Sequence, residues 1–130
     1  MKMRAFVEKG GNRSFSCRAE RYVNDFLLIG YGNTAAEAID DLHVAYNELK
    51  AEGGDSIPAI DFDLEFDVGS LFDYYRFLNM EGVARLSGIY PSVLRQYASG
   101  ARVPKASTLS AIKDGLAKAA EQMKRVVLSA

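Results

Sequence analysis

Four acidic residues at every second position, Asp61, Asp63, Glu65 and Asp67, form the densest set of groups that could do chemistry. Clustered carboxylates hold divalent ions in two-metal nucleases. Residues two apart on an extended segment make a line rather than a cage, however, and no second set of carboxylates completes one. The row therefore reads first as a solvated or edge-protecting face, then as a face for a basic partner, and last as a metal-dependent nuclease site. His43 is the only histidine; with no second His, no metal-ligand spacing and no Ser or Cys partner, it reads as a solvent-facing residue on the polar side of a helix. Cys17 is the only cysteine, which excludes an intramolecular disulfide or a thiolate metal cluster within one chain, and its neighbours place it in a core. Gly30, Tyr31 and Gly32 are too short a motif for a phosphate loop and read as a strand end. The seven tyrosines and seven phenylalanines are spread along core periodicities rather than gathered into a stacking platform. Neither catalysis nor a metal or other cofactor is expected.

A second set of groups carries one sign only. Between Gly82 and Lys113 lie Arg85, Arg95, Arg102, Lys105 and Lys113, with no Asp or Glu among them. The net charge of −1 conceals the contrast: residues 1–68 carry seven Lys and Arg against thirteen Asp and Glu, net −6, and residues 69–130 carry nine against four, net +5. A basic half is drawn to phosphate, whereas an acidic half repels nucleic acid and attracts basic proteins.

The elements that must position these groups follow from periodicity. Met3, Ala5 and Val7 alternate with Lys2, Arg4 and Glu8 as a first strand, with Phe6 on the other face. Gly10, Gly11 and Asn12 tolerate positive φ and predict a hairpin turn. Phe15, Cys17 and Ala19 form one face of a second strand. Phe26 to Ile29 is a continuous apolar run, predicting a central strand covered on both sides. Thr34 with Glu37 fits a capping box ahead of Ala35, Ala38, Ile39, Leu42, Tyr46 and Leu49 at helical spacing, and Gly53 and Gly54 end that helix. Ile60, Phe62, Leu64, Phe66 and Val68 alternate with the acidic row as a fourth strand. From Gly69 onward the pattern is helical. Ser70 with Asp73 suggests a cap ahead of Leu71, Phe72, Tyr75 and Leu78; Asn79 caps a second helix through Leu86; a third spans about Pro91 to Ala98; a fourth starts near Ser107 with Leu109, Ile112, Leu116, Ala120, Met123 and Val127 along one face. The expectation is an α+β chain with a β-β-β-α-β sheet domain over 1–68 and an all-α, four-helix domain over 69–130.

The segment Met80 to Gly100 meets the steric demands of two helices crossing through a tight turn. Ala84 is small where the helices approach, Gly88 can adopt the left-handed conformation, and Val83, Ile89, Leu94 and Tyr97 pack between them. It resembles the helix-turn-helix of Cro and lambda-repressor-type proteins, and the match extends through Ser99, Gly100, Ala101, Arg102, Val103, Pro104 and Lys105. That resemblance implies double-stranded DNA as a partner, with Pro91, Ser92, Arg95 and Gln96 nearest the base edges and Arg85, Ser99, Arg102 and Lys105 on the phosphate backbone. The first half, with its Gly32-to-Ile39 turn into the helix, followed by such a module, resembles HicB-family antitoxins over nearly the whole chain; the regularity of the acidic last strand is its departure from that pattern. The resemblance implies a toxin–antitoxin system: repression of transcription from an operator, as a homodimer or higher oligomer, and neutralisation of a small basic HicA-type RNA-cleaving toxin by the first domain. A stand-alone repressor without a toxin is the alternative. A dimer surface is expected on the first sheet or at the apolar end of the last helix, Met123 to Leu128.

Length and composition fit one ordinary domain or two very small ones. No apolar run approaches the roughly 20 residues of a membrane span, and charges and glycines interrupt the N-terminal stretch where a secretory signal needs about 7 to 15 apolar residues, so a cytoplasmic protein is expected.

Overall fold

The computed structural model describes residues 1–130. The architecture is α+β, with one four-stranded mixed sheet and five α-helices divided between two compact units, Met1–Tyr74 and Tyr75–Ala130.

In the first unit, β1 (Lys2–Lys9) buries Met3, Ala5 and Val7 on one face, and β2 (Phe15–Ala19) buries Phe15, Cys17 and Ala19 on the same face. The two pair antiparallel with Val7 opposite Cys17. The positive φ values of their turn fall on Asn12 (56°) and Arg13 (58°), not on the glycines. Both central residues of a Gly11–Ser14 turn are then left-handed, the primed geometry whose twist matches a hairpin. The Ser14 amide and hydroxyl both donate to the Gly11 carbonyl, at 3.3 and 2.8 Å.

The apolar run Phe26–Ile29 does not form a central strand. Asn24 and Asp25 take positive φ, 47° and 69°, and close a tight turn in which Val23 and Phe26 exchange backbone bonds of 2.8 and 3.0 Å. The run therefore begins inside a turn: Phe26 and Leu27 are 58% and 46% exposed, and only Leu28 is buried. β3 (Ile29–Gly32) lies at the sheet edge, in the order β3-β2-β1-β4.

α1 (Ala35–Gly53) covers one face of this sheet with Ala35, Ala38, Ile39 and Leu42. Its start keeps half of the expected capping box: the Glu37 amide donates to Thr34 Oγ1 at 3.1 Å, but the Glu37 carboxylate accepts the amide of Asn33, one residue earlier than Thr34, at 2.8 Å. A Cβ on Gly30 would collide with the backbone of Leu42 and Ala38, so the Gly-Tyr-Gly segment lets helix and strand approach closely. The helix stops at Gly54, φ 55°. The Tyr46 hydroxyl donates to the Pro58 carbonyl (2.7 Å) and accepts the Ile60 amide (3.1 Å), which steers the chain into β4 (Asp61–Phe66), parallel to β1 with Lys2 opposite Asp61 and Val7 opposite Phe66.

α2 (Val68–Tyr74) belongs to this first unit, so the division falls between Tyr74 and Tyr75 rather than between residues 68 and 69. The reason is Ser70. Its side chain is wholly buried and its hydroxyl donates to the Val7 carbonyl at 2.7 Å. The cap is also not the expected Ser70–Asp73 pair. Asp67 accepts the Ser70 amide at 2.9 Å, and Asp73 accepts the Ala35 amide at the start of α1 at 2.7 Å.

The second unit consequently holds three helices rather than four: α3 (Met80–Ser87), α4 (Pro91–Ser99) and α5 (Ala106–Lys124). Asn79 caps α3 by accepting the Gly82 amide at 2.8 Å. Gly88 (φ 72°) reverses the chain, with the Ile89 amide donating to the Ala84 carbonyl at 2.9 Å. Val83, Ala84, Leu94, Ile112 and Gly115 are buried, whereas Ile89 and Tyr97 are half-buried. Gly115 makes the crossing of α5 over α3 possible, because a Cβ there would strike the Ser87 hydroxyl and sit 3.1 Å from the Ser87 nitrogen. α5 outruns its partners: at about 1.5 Å per residue, helices of 8 and 9 residues cannot cover one of 19. Ile112 is buried and Leu116 half-buried, but Leu109, Met123 and Val127 from the same expected stripe are exposed.

Candidate nucleic-acid interface and acidic sheet edge

α4 turns Leu94 into the core of the second unit, and at about 100° per residue this leaves Ser92, Arg95, Gln96 and Ser99 exposed on the outward face. Pro91 is the first helical residue and half-buried. Neither Tyr90 ahead of α4 nor Lys105 ahead of α5 supplies a side-chain cap, so the positive end of each helix dipole carries no protein acceptor of that kind.

The loop after α4 is folded back on that helix. Gly100 (φ 84°) ends it; the Ser99 hydroxyl donates to the Gln96 carbonyl at 3.1 Å and accepts the Ala101 amide at 3.3 Å, and the Arg102 amide donates to the same Gln96 carbonyl at 3.3 Å. Backbone bonds thus bring Gln96, Ser99 and Arg102 together, with the Arg102 and Lys105 side chains exposed. The Ser99 hydroxyl is occupied in building the loop. Arg85 stands apart on α3, paired with Glu81 at 3.1 Å one turn away. The second unit carries nine Lys and Arg against three Asp and Glu, net +6. Two residues of this region carried no charge signal: Tyr90, 80% exposed, and Val103, 86% exposed. Tyr90 was findable, since a residue preceding a proline is held extended and its ring there projects from the helix start.

In the first unit the acidic row faces the side of the sheet opposite α1. Lys2 lies 3.9 and 3.8 Å from Asp61 and Asp63, and Arg4 lies 3.4 Å from Glu65. Asp67 is consumed structurally: besides Ser70 it accepts the Lys9 amide at 2.9 Å. No group of three or more His, Cys, Asp or Glu converges where it could hold a metal ion. Glu20 accepts the Arg4 amide at 2.9 Å, which holds its carboxyl below the usual range despite some desolvation, and the Arg4 and Arg21 guanidinium groups add to this. Phe6 lies under the Arg18 and Arg4 guanidinium groups, 4.7 and 5.5 Å from its centroid. Cys17 is buried and its thiol is pushed up to about 11 by desolvation, far from a nucleophile's range. His43 is exposed, with its ring edge-on to Phe62 at 6.1 Å.

No helix is long and apolar enough to cross a membrane. No protein-family model, curated protein or solved structure matches the chain.

Proposed function

We propose that the chain is an antitoxin-like transcriptional regulator. In this reading α3 and α4 act as a helix-turn-helix of the Cro and lambda-repressor type, with α4 lying in the major groove of operator DNA. Pro91, Ser92, Arg95 and Gln96 face base edges, where Gln96 suits adenine and Arg95 suits guanine. Arg85, Arg102 and Lys105 meet the phosphate backbone, and Ser99, whose hydroxyl is engaged within the loop, holds that loop against α4 rather than donating to a phosphate. Two copies act together, because one recognition helix reads too few bases and paired half-sites about one turn apart supply the rest. The first unit, HicB-like in its β-β-β-α-β order, holds a small basic toxin of the HicA type.

The observation that carries the DNA half is the outward face of α4. Ser92, Arg95 and Gln96 are all exposed with Leu94 buried behind them, on a stretch free of carboxylates from Gly82 to Lys113. A solvated basic face on an ordinary helical bundle does not require a helix that starts on proline, follows a left-handed glycine turn and carries no side-chain cap. The test is an electrophoretic mobility shift of the fragment upstream of the coding sequence against a scrambled fragment, each at two salt concentrations. A specific shift that weakens steeply with salt is expected; the absence of any shift at low salt removes the DNA reading.

A further inference from the structure

The two edges of the sheet are treated differently. At β3 the Tyr31 amide, which the register turns away from β2, is taken by the Asp41 carboxylate at 2.8 Å. That outward donor is taken. At β4 the Asp61 amide donates to the Met1 carbonyl at 2.8 Å and the Asp67 amide to the Val7 carbonyl at 3.1 Å. Alternation along the strand then directs the amide and carbonyl of Phe62 and Leu64 away from β1. Within the first unit no strand lies beyond β4. Above this open edge stand Asp61, Asp63 and Glu65, all exposed; below it lie Phe62 and Leu64, half-buried, with the His43 and Tyr46 rings edge-on to Phe62 at 6.1 and 5.8 Å.

We infer that the free edge of β4 receives one extended segment of a partner protein, with Lys or Arg at alternate positions and apolar residues between them. The inference rests on the partner-binding half of the function proposed above and names where and how that partner binds. Each side of the strand selects for it. Basic side chains on the added strand meet Asp61, Asp63 and Glu65 as cross-strand opposite-charge pairs, the intervening apolar side chains extend the cover over Phe62 and Leu64, and the ladder bonds come from the unpaired backbone groups. Lys2 and Arg4 leave room for this, because they reach the row only from 3.4 to 3.9 Å and between exposed groups. A second copy is a poor occupant. Antiparallel pairing of β4 with itself places Asp63 opposite Asp63 and Asp61 opposite Glu65, and like charges directly opposite destabilise. The acidic row thus guards the edge against its own kind while inviting a basic strand.

The experiment uses the full chain, labelled with nitrogen-15, and a short end-blocked peptide alternating lysine and valine. Binding is expected to shift the Phe62 and Leu64 amides most and to slow their hydrogen exchange. A peptide of the same composition, N-methylated at the amides that would face β4, is expected to bind roughly tenfold more weakly or worse, as is the original peptide with Asp63→Lys; the spectrum of that variant reports whether it is folded, and Asp61→Asn with Asp63→Asn is the milder substitute. Equal binding of the N-methylated peptide, or shifts confined to other residues, overturns the inference. So does a free chain that dimerises with protection of the same two amides. A basic partner protein captured with the β4 amides unprotected overturns the edge while preserving the partner reading, and mobility shift of DNA by the Asp63→Lys chain reports the second unit alone.

Discussion

Replacing Arg102 by alanine gives the sharpest test of the DNA reading, because its expected effect can be worked from the positions of the charges. Three cations per copy, Arg85, Arg102 and Lys105, are assigned to phosphates, so a symmetric dimer neutralises six. At a slope of about −0.9 per phosphate the logarithm of affinity should fall with that of salt at about −5, roughly a thousandfold loss between about 50 and 200 mM. Arg85 must first release Glu81, but that pair is exposed on both sides and its loss costs less than about 1 kcal/mol. Arg102→Ala in both copies removes two contacts, and the slope should shrink to about −3.6. The loop should survive, since the bond from the Arg102 amide to the Gln96 carbonyl does not involve the side chain. Gln96→Ala should instead leave the slope unchanged and cost roughly 30- to 25,000-fold on the operator alone, the loss of two bidentate base contacts, one per copy, at about 1–3 kcal/mol each. Fluorescence anisotropy of labelled operator and scrambled duplexes over a salt series separates the two. A wild-type slope shallower than about −2, or equal losses from both variants on every sequence, refutes the assignment of roles.

Three further outcomes follow from the fold. Arg13→Gly relieves a left-handed non-glycine residue and creates an Asn-Gly turn, so it should stabilise the first unit by about 0.5–1 kcal/mol and raise its Tm by about 2–8 °C; a lower Tm in calorimetry contradicts the turn assignment. Ser70→Ala removes the buried hydroxyl bond to the Val7 carbonyl, which keeps the Asp67 amide as its other donor, and should cost about 0.5–1.5 kcal/mol, read as a lower urea midpoint; an unchanged midpoint argues against Ser70 as the anchor of α2. Cys17, with its folded value near 11 against an ordinary 9.0, keeps its proton in the fold while the unfolded chain loses it. Its contribution is therefore complete below pH 9 and declines as pH rises toward 11, and Cys17→Ala should flatten that alkaline loss. Iodoacetamide should correspondingly label the native thiol slowly at pH 8 and rapidly in denaturant.

The sequence revealed what depends on local pattern. Alternation identified Met3, Ala5, Val7, Phe15, Cys17 and Ala19 as one buried face; Thr34 with Glu37, Asn79, Gly88 and Gly100 marked helix ends that the structure places within a residue or two. Features set by contacts between distant residues were not legible. Nothing near Ser70 in sequence announces that its hydroxyl will meet Val7, so local pattern alone groups α2 with the helices that follow it. The run Phe26–Ile29 was indistinguishable from a covered strand until Asn24 and Asp25, polar residues that tolerate left-handed φ, were seen to turn the chain just before it. Gly115 carries no local signal, because the contact that requires it lies on another helix, at Ser87. For the candidate site, charge pattern singles out Arg95, Arg102 and Lys105 but not Tyr90, which only its place before Pro91 marks, or Val103, whose exposure is a matter of loop geometry.

Segregated charge has a consequence for how the proposed activities are coupled. Before any partner binds, the first unit carries seven Lys and Arg against fourteen Asp and Glu, net −7, beside +6 in the second unit. The whole chain is thus nearly neutral and gains little long-range attraction to DNA, whose pull must come from charges within a Debye length, about 8 Å at physiological salt. A basic strand on β4 cancels part of the −7. Less self-repulsion from the phosphates should then raise both the association rate and the affinity for any duplex, specific or not, with the gain fading as salt rises. Measuring anisotropy with and without the lysine–valine peptide at low and high salt decides it. Equal affinity in both arms at low salt would mean that the acidic surface does not oppose DNA binding at all, and the charge contrast between the halves would then have no electrostatic role in regulation.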